Sequence, residues 1–548
     1  MRTLTPCDVL IVGGGGTGLR TAIEAKRIVE DVVLVCKGEA GRSGSTMYAG
    51  CSMIATLPTD PPEAVEIHFK DTMAVGKFLN DEALVEELVT HAGEEIMALE
   101  ALGVKLHTKK GGFLLGRGDE AILPSGIEPD YTGYEFSTRG SSLTRPLAEQ
   151  ARRLGVTIID HLPIVKLFMD EGEVWGAFGF DATTGEAVFF QAKAVILATG
   201  GAGWLYAVTS NSPDLTGDSY SLALDVGMTV KDMEFVEFNP CRLLHPKALE
   251  TNLPPDLFSF GGILRNASGE RFILAHNPLG EEASFREEMP RLLFREVEEG
   301  RGIDGGVSLD ATAIPMEVWQ DRYPFLFNAL LQHGIDPRKD LMIVGVRANL
   351  FTGGIKAGTR GKTEIPGLYA AGEAIGGVHG AKRFGGNSVA HTQVSGALTG
   401  REAALHAKAR RSIPPPIPPP LDLRRRSGDI SHQEVETRLR QIMWEHVGLF
   451  RSAASLKKVK EEIQACRSLL EGCAIQNPKE WLHHLTLQGM CLVASAVTAS
   501  ALMREESRGP HYREDYPSQD KRWLGSVEVR MHGEEMEVTF KPKDVRKT

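Results

Sequence analysis

The sequence predicts an α/β protein: a parallel sheet assembled from distant parts of the chain, interrupted by an inserted α+β domain and followed by a helical domain. Three observations predict it. Four apolar runs, "CDVLIV", "VVLVCK", "KAVILATGGAG" and "IPGLYAAGEAIGG", lie far apart, and most end in glycine or other small residues, as buried parallel strands that deliver a ligand site at their ends do. The segment between the third and fourth runs, roughly 240 to 350, is irregular and richer in proline and charge. Beyond "RRSIPPPIPPPLDLRRRS", the segments "EVETRLRQIMWEHVGLFRS" and "SLKKVKEEIQACRSLLEG" have helical periodicity. The domain reading is therefore 1–239 and 351–410 as two parts of the sheet domain, with 240–350 as the insert. A proline-rich linker follows at 411–427, then 428–548 as a helical domain ending in short strands, since "RWLGSVEVRMHGEEMEVTFKPK" alternates.

Composition narrows the class. The chain has 548 residues, 42% hydrophobic and 24% charged, a globular balance with room for two to four domains. Its net charge of -11 argues against nucleic acid or an anionic membrane as the main partner. The seven cysteines (Cys7, Cys36, Cys51, Cys241, Cys466, Cys473 and Cys491) are scattered, with no C-x2-C pair. Neither a disulfide framework, nor a zinc site, nor an iron–sulfur cluster of the chain's own is expected. No secretory signal is read at the start, and no apolar run approaches the roughly 20 residues that span a bilayer. A cytoplasmic location is expected, and no internal repeat is found.

The first strand leads into Gly13-x-Gly15-x-x-Gly18 and then into a helix, "LIVGGGGTGLRTAIEAKR". In that context the first glycine allows the tight turn, the second lets a pyrophosphate approach, and the third lets helix and strand pack. The helix N-terminus then faces the phosphates. A dinucleotide is the expected ligand. The acidic residue that would hold its ribose at the end of the second strand is absent, because that strand ends in Cys36-Lys37.

Three further stretches carry a resemblance. "GRSGSTMYAGC" is small and polar, fit for backbone approach to a flat ring; "ATGGAG" closes a strand; and "LYAAGEAIGGVHGAKRFGGNSVAHTQVSG" places a carboxylate, cations and a helix start in one loop. With the C-terminal "MREESRGPHYREDYPSQDKRWL", they resemble the flavoprotein subunits of succinate dehydrogenase and fumarate reductase, with L-aspartate oxidase and the alpha chain of adenylylsulfate reductase as relatives. The resemblance spans almost the whole chain. It implies a Rossmann-like FAD-binding domain, a capping domain and a helical C-terminal domain. It also implies FAD held by Gly13, Gly15, Gly16, Gly18, Lys37, Ser43, Ser45, Thr46, Gly50, Thr199, Gly200, Asp218, Glu373, Asn387 and Ser388. Glu373 would meet the ribityl or ribose hydroxyls, and Asn387 and Ser388 would start a helix aimed at the isoalloxazine, whose anionic reduced form a helix N-terminus favours. Ser45 stands where covalent members of the family carry a flavin-bound His, so FAD is expected to be non-covalent.

On the substrate side the chain departs from the pattern. The family motif resembles "MEFVQFHPT" and this chain reads "MEFVEFNPC", which places Asn239 at a substrate-binding His. "VRANLFTGGI" places Asn349 at a second such His. A carboxylate-binding Thr-Glu and its Arg are missing from "LPPDLFSFGGILRNASGERF", where Pro254, Leu257, Phe258 and Phe260 stand instead. Two cations match: Arg286 at the general-acid Arg and Arg383 at the second carboxylate-binding Arg, with Lys382 in the usual Asn position. His379 is read as a flavin-side or packing residue before a general base. An amide donates and accepts but brings no positive charge, and a buried carboxylate without partners costs several kcal/mol. The expected activity is therefore FAD-dependent hydride transfer to or from a small anionic substrate other than succinate or fumarate. Electrons would be exchanged with a separate ferredoxin-like iron–sulfur subunit, in a larger complex or homo-oligomer that reaches a membrane only through partners. Alternatives are an electron-transfer module with a degenerate pocket and sulfur-oxyanion chemistry like that of adenylylsulfate reductase; L-aspartate oxidase is disfavoured by the two missing His.

Overall fold

The computed structural model describes residues 2–3, 6–57, 59–60, 62–110, 134–138, 140–181, 183–249, 251–281, 287–410 and 425–543. Arg286 and most of the proline-rich segment, 411–424, lie outside the described residues.

The sheet domain is built from strands β1 (Cys7–Val12), β2 (Val32–Val35), β3 (Thr157–Ile159), β4 (Ile164–Asp170), β5 (Glu173–Phe180) and β6 (Ala187–Leu197), in spatial order β3-β2-β1-β6-β5-β4. Strand β1 is apolar on both faces, with Val9, Leu10 and Ile11 fully buried, as a central parallel strand covered on both sides must be. Strand β6 changes partners along its length. Ala187–Gln191 pairs antiparallel with β5, whereas Ala192–Leu197 pairs parallel with β1. Helix α1 (Gly16–Lys26) follows the glycine turn, and the "VVLVCK" run ends as a strand at Val35, which leaves Cys36 and Lys37 beyond the sheet. Helix α2 (Pro62–Val75) flanks the domain.

Short strand β7 (Val230–Lys231) leads into the insert, whose antiparallel sheet comprises β8 (Val236–Leu243), β9 (Ile263–Arg265), β10 (Val307–Asp310) and β11 (Met342–Phe351), in order β8-β11-β10-β9. Helix α3 (Glu288–Glu298) covers it, burying Met289, Pro290 and Leu293 on one face. The insert is thus α+β; its first strand, β8, begins at Val236 and its last, β11, ends at Phe351. The chain then returns through β12 (Gly354–Lys356), β13 (Leu368–Ala370), which extends the parallel sheet beside β6, and β14 (Ile375–Gly376). Helix α4 (Asn387–Ala409) lies against α1 with little separation, because Gly396 and Gly400 face Thr17 and Thr21; a Cβ on Gly400 would fall 2.5 Å from the Thr21 carbonyl oxygen.

The C-terminal part packs α5 (His432–Val447), α6 (Ala453–Glu471) and α7 (Pro478–Met503) as a bundle. Helix α7 is long and apolar enough by composition to cross a membrane, unlike the expectation from sequence, and over half of its most apolar window is buried inside the protein, with Leu487, Met490, Val493 and Val497 in the bundle core. Strands β15 (Gly525–His532) and β16 (Glu535–Pro542) form a hairpin that joins β7 in a second sheet, β14-β12-β7-β15-β16. The terminal strands therefore belong to the sheet domain's periphery.

A buried charge network fixes this junction. Arg504, fully buried, donates to Glu234 at 2.5 Å and Glu506 at 3.1 Å and lies 3.5 Å from Asp232. It also donates to the carbonyls of Trp523 and Gly525, each at 2.9 Å. Arg451 donates to the Glu234 carbonyl and to His511 Nδ1, both at 2.7 Å. The motif "MREESRGPHYREDYP" is thus the fastener between the bundle, the hairpin and the strand that opens the insert.

Candidate active site

Strands β1, β2 and β6 all end at one cavity, the position at which parallel α/β sheets present ligands. It is lined by the glycine turn at 13–17, Cys36, Lys37, Ser43–Thr46, Ala198–Gly200, Asp218 and Glu373. Gly15 caps helix α1 at φ -78°, ψ -172°. A Cβ there would meet nothing within 4 Å, so the position is open toward the cavity. Gly18 differs: its Cβ would lie 1.8 Å from the Gly13 carbonyl oxygen, so its small size serves helix–strand packing. An open turn capping a helix whose first N–H groups face outward is the cradle a pyrophosphate requires.

Asp218 comes from a distant segment to stand beside Lys37. Lys37 Nζ donates to Thr216 Oγ1 at 2.7 Å and approaches the Asp218 carboxylate at 3.2 Å. The site therefore contains a carboxylate even though the second strand ends without one. Cys36 is turned toward Asp160, at 3.2 Å, and burial followed by that carboxylate pushes its thiol up. Thr199 and Ser219 bond each other through their hydroxyls at 2.7 Å, which fixes the "ATGG" end of β6. Ser45 donates to Asn211 Oδ1 at 2.7 Å, and Asn211 Nδ2 donates to the Asn349 carbonyl at 2.8 Å, so the "GST" turn is tied to β11. Glu373 accepts from the Phe351 N–H at 3.2 Å. Burial lifts its carboxyl to about 7; Glu237 adds to the lift, while Phe351 N–H, Arg383 and Gly201 N–H oppose it.

Not every expected cofactor residue lines the cavity. Gly18 packs inside, and Gly50 is exposed with open space around it. Asn387 starts α4 behind Gly386 at φ 78°, but its side chain is fully buried, with Nδ2 donating to Thr72 Oγ1 at 2.9 Å and Oδ1 bonded to His68 Nε2 at 2.8 Å. That amide holds α4 to α2. Ser388 is half-buried beside it. The sequence reading missed Leu162, Pro163 and Ile164, an apolar wall of the cavity, together with Asp214 and Thr392. These carry no motif, and only the fold brings them together.

On the substrate side, Asn239 Oδ1 accepts from the Cys241 N–H at 3.0 Å, closing a turn over Pro240 where the β8–β11 register shifts. The Asn-Pro pair thus shapes a bulge as well as supplying an amide. Asn349 Oδ1 accepts from Ser210 Oγ at 3.0 Å. Arg383 grips Glu237 with two donors, Nη2 to Oε1 at 2.7 Å and Nε to Oε2 at 3.2 Å. Sequence reading passed over Glu237, although its signal was present: "MEFVEFNPC" carries Glu where the family pattern reads Gln. His379 is buried, packs edge-on against His391 at 5.6 Å between centroids, and has no partner at Nδ1 among the described residues. Burial, then His391 and Arg383, hold its imidazole well below its ordinary value, so it is neutral at pH 7. Lys382 Nζ lies 3.2 Å from Glu287, which also takes Lys77 at 2.8 Å. Burial alone would raise the Glu287 carboxyl; Lys382 and Lys77 outweigh it and hold it down at about 2. Leu257 and Phe258 are buried in the insert's core, and Phe260 lies under the Arg322 guanidinium at 5.0 Å. Among the described residues, no group of three or more His, Cys, Asp or Glu is placed to hold a metal ion.

A sheet whose parallel strands end at a glycine cradle, with an inserted antiparallel domain and a helical C-terminal part, defines an FAD-dependent oxidoreductase. Comparison with known proteins agrees. Residues 8–389 match the FAD binding domain and residues 436–548 match the fumarate reductase flavoprotein C-terminal domain. The chain belongs to the fumarate reductase and succinate dehydrogenase flavoprotein family. It is 37% identical to one of the subunits of the CoM/CoB fumarate reductase of Methanothermobacter marburgensis, over 96% of this chain and 97% of that protein. It is 35% identical to an uncharacterized FAD-dependent oxidoreductase of Methanocaldococcus jannaschii, over 95% and 96% of the two chains. A variant of the E. coli quinol fumarate reductase FrdA chain superposes with a TM-score of 0.85 at 25% identity, covering 100% of this chain and 98% of that one.

Proposed function

We propose that this FAD-dependent oxidoreductase acts on a small anionic substrate other than succinate or fumarate and exchanges electrons with a separate iron–sulfur subunit. Bound FAD supplies a two-electron carrier that gives or takes a hydride at a substrate carbon. The chain's residues then have these tasks. Gly13, Gly15, Gly16 and the α1 N-terminus hold the pyrophosphate, while Glu373, Lys37 and Asp218 meet hydroxyl groups. Arg383 orients the substrate's anionic group from its place beside Glu237. Asn239 and Asn349 read a polar, uncharged group, each with its carbonyl already engaged. His379, neutral and buried, excludes water and brings no charge. Arg286 is proposed to stabilise developing charge or to supply the proton at the neighbouring carbon.

What carries this reading is that Asn239 and Asn349 stand, in the sequence pattern the chain resembles, at the positions of two substrate-binding His residues, so that two amides replace groups able to carry positive charge. The partner subunit is supported by the 37% identical relative being a subunit of a larger enzyme, and by the sequence having no C-x2-C ligand pair of its own. The test is an anaerobic assay that follows oxidation of reduced benzyl viologen by the holoenzyme with fumarate, crotonate, acrylate and cyclic imines. Faster turnover with a singly charged enoate or an imine than with fumarate is expected. A second reading, that fumarate itself is the substrate, is favoured by the 37% identical relative being a fumarate reductase subunit. Fumarate as the fastest acceptor would establish it.

A further inference from the structure

We propose that Ser210 and Asn211 form a positioning clip, which carries the place of the cofactor-side turn at Ser45 to Asn349, the residue of β11 that the sheet itself leaves unheld. The inference rests on the reading above, that substrate meets Asn349. In the β8–β11 ladder Glu237 pairs with Leu350 and Phe238 pairs with Ala348, so Asn349 is the extra residue of a bulge. Bulges re-aim side chains and are common beside active sites. What the ladder does not fix, the segment at 208–211 does. The Ala348 N–H donates to the Val208 carbonyl at 3.0 Å, and the Ala348 carbonyl accepts from the Ser210 N–H at 2.9 Å and from Thr209 Oγ1 at 3.0 Å. Those two bonds use both lone pairs of that carbonyl. Ser210 Oγ lies 3.2 Å from the same carbonyl but 3.0 Å from Asn349 Oδ1, and its single proton goes to the Asn349 oxygen.

Asn211 is the other half of the clip, and it is buried. Its Nδ2 donates to the Asn349 carbonyl at 2.8 Å, and its Oδ1 accepts from Ser45 Oγ at 2.7 Å. A backbone carbonyl only accepts, so this amide cannot be turned round without setting oxygen against oxygen. Gly203 makes room for it, since a Cβ there would fall 2.3 Å from Asn211 Nδ2. Ser45 lines the cofactor cavity, so one buried amide spans from the cavity wall to the backbone of the bulge. With its oxygen held by Ser210, Asn349 keeps its NH2 group for a ligand, and the direction of that group is set from the cofactor side. Ser210 and Asn211 thus act through Asn349, not on substrate.

The test is a double-mutant cycle on oxidised holoenzyme. Crotonate is titrated into wild type, Asn211→Ala, Asn349→Ala and the double variant, the perturbation of the flavin absorbance gives its affinity, and FAD affinity is measured alongside. Asn211→Ala is expected to weaken crotonate about tenfold or more when Asn349 is present and less than about threefold when it is not, because residues that act through one another are not additive. Its FAD affinity is expected to stay within about threefold of wild type. An equal factor in both backgrounds, or no effect in either, overturns the clip and leaves the substrate reading intact. Loss of FAD from a folded Asn211→Ala protein makes Asn211 a cofactor residue and also overturns the clip. If Asn211→Ala does not fold, Ser210→Ala takes its place in the cycle and is judged in the same way. A wild type that responds to succinate and not to crotonate overturns the singly charged substrate; the cycle is then read with succinate, because the clip sets a direction and not a charge. A wild type that responds to neither probe overturns the substrate reading and this inference with it.

Discussion

Gly15→Val separates the glycine that serves the cofactor from those that serve the fold. The backbone at Gly15 is extended, at φ -78° and ψ -172°, which any residue adopts, and a Cβ there meets no protein atom within 4 Å. The cost to the apoprotein is confined to replacing Gly by Val at the helix cap, about 1 kcal/mol. The cost to FAD is larger. Two added methyls fill the space that the pyrophosphate needs, and each charge-assisted N–H hydrogen bond that they break is worth about 1.5–3 kcal/mol. Breaking one or two of them weakens FAD binding by about 100-fold or more, near 2.7 kcal/mol. Gly18→Ala is the contrast, because its Cβ would lie 1.8 Å from the Gly13 carbonyl oxygen and force helix and strand apart. Overpacking of that kind costs about 1–3 kcal/mol of the fold itself. The assay is flavin content on purification, fluorescence titration of the apoprotein with FAD, and the apoprotein's melting curve. A Gly15→Val protein that binds FAD within threefold of wild type would refute the assignment of this turn as the pyrophosphate cradle.

Arg504→Met leaves Glu234, Glu506 and Asp232 buried without their shared cation, at a cost of about 3–5 kcal/mol; hydrogen exchange is expected to rise first in the hairpin at 525–542. The Glu373 carboxyl, lifted to about 7 by burial, makes the apoprotein bind a proton more tightly than the unfolded chain does. Apoprotein stability should therefore fall as pH rises from 5 to 8, by about 1–3 kcal/mol once water in the cavity is allowed for. Glu373→Gln should flatten that dependence in urea titrations while weakening FAD. Precipitation of the holoenzyme with acid should release all the flavin into solution, since Ser45 provides no imidazole for a covalent link; flavin remaining with the pellet would count against non-covalent binding.

The sheet was legible because a parallel strand buried on both faces is a continuous apolar run, and "CDVLIV" and "KAVILATGG" have that form. The partner change within β6 was not legible, since Ala187–Gln191 and Ala192–Leu197 are one uninterrupted run in sequence. The glycine cradle was readable because its spacing is local. The polar pairs that shape the site are not local: Lys37 finds Asp218 181 residues away, and Arg383 finds Glu237 146 residues away. The Glu at 237 stood out against the family pattern, yet its meaning depends on which cation it faces. Asn387 shows the reverse case. Its position at a helix start invites a cofactor role, and only the packing of α2 against α4 shows that His68 and Thr72 engage its amide. The apolar wall at 162–164 carried no signal, because an apolar residue lining a cavity and one filling a core look the same in sequence.

A single-turnover experiment on the flavoprotein alone tests the proposal that this site does not serve a C4 dicarboxylate. The holoenzyme is photoreduced under anaerobic conditions, mixed with fumarate in a stopped-flow cell, and followed at the oxidised flavin band. The expected result is a flavin that stays bleached with fumarate over minutes and regains its colour at once with a dye acceptor. Rapid return of the oxidised band with fumarate would show that Asn239, Asn349 and the Glu237–Arg383 pair accommodate a dianion, and would contradict the account.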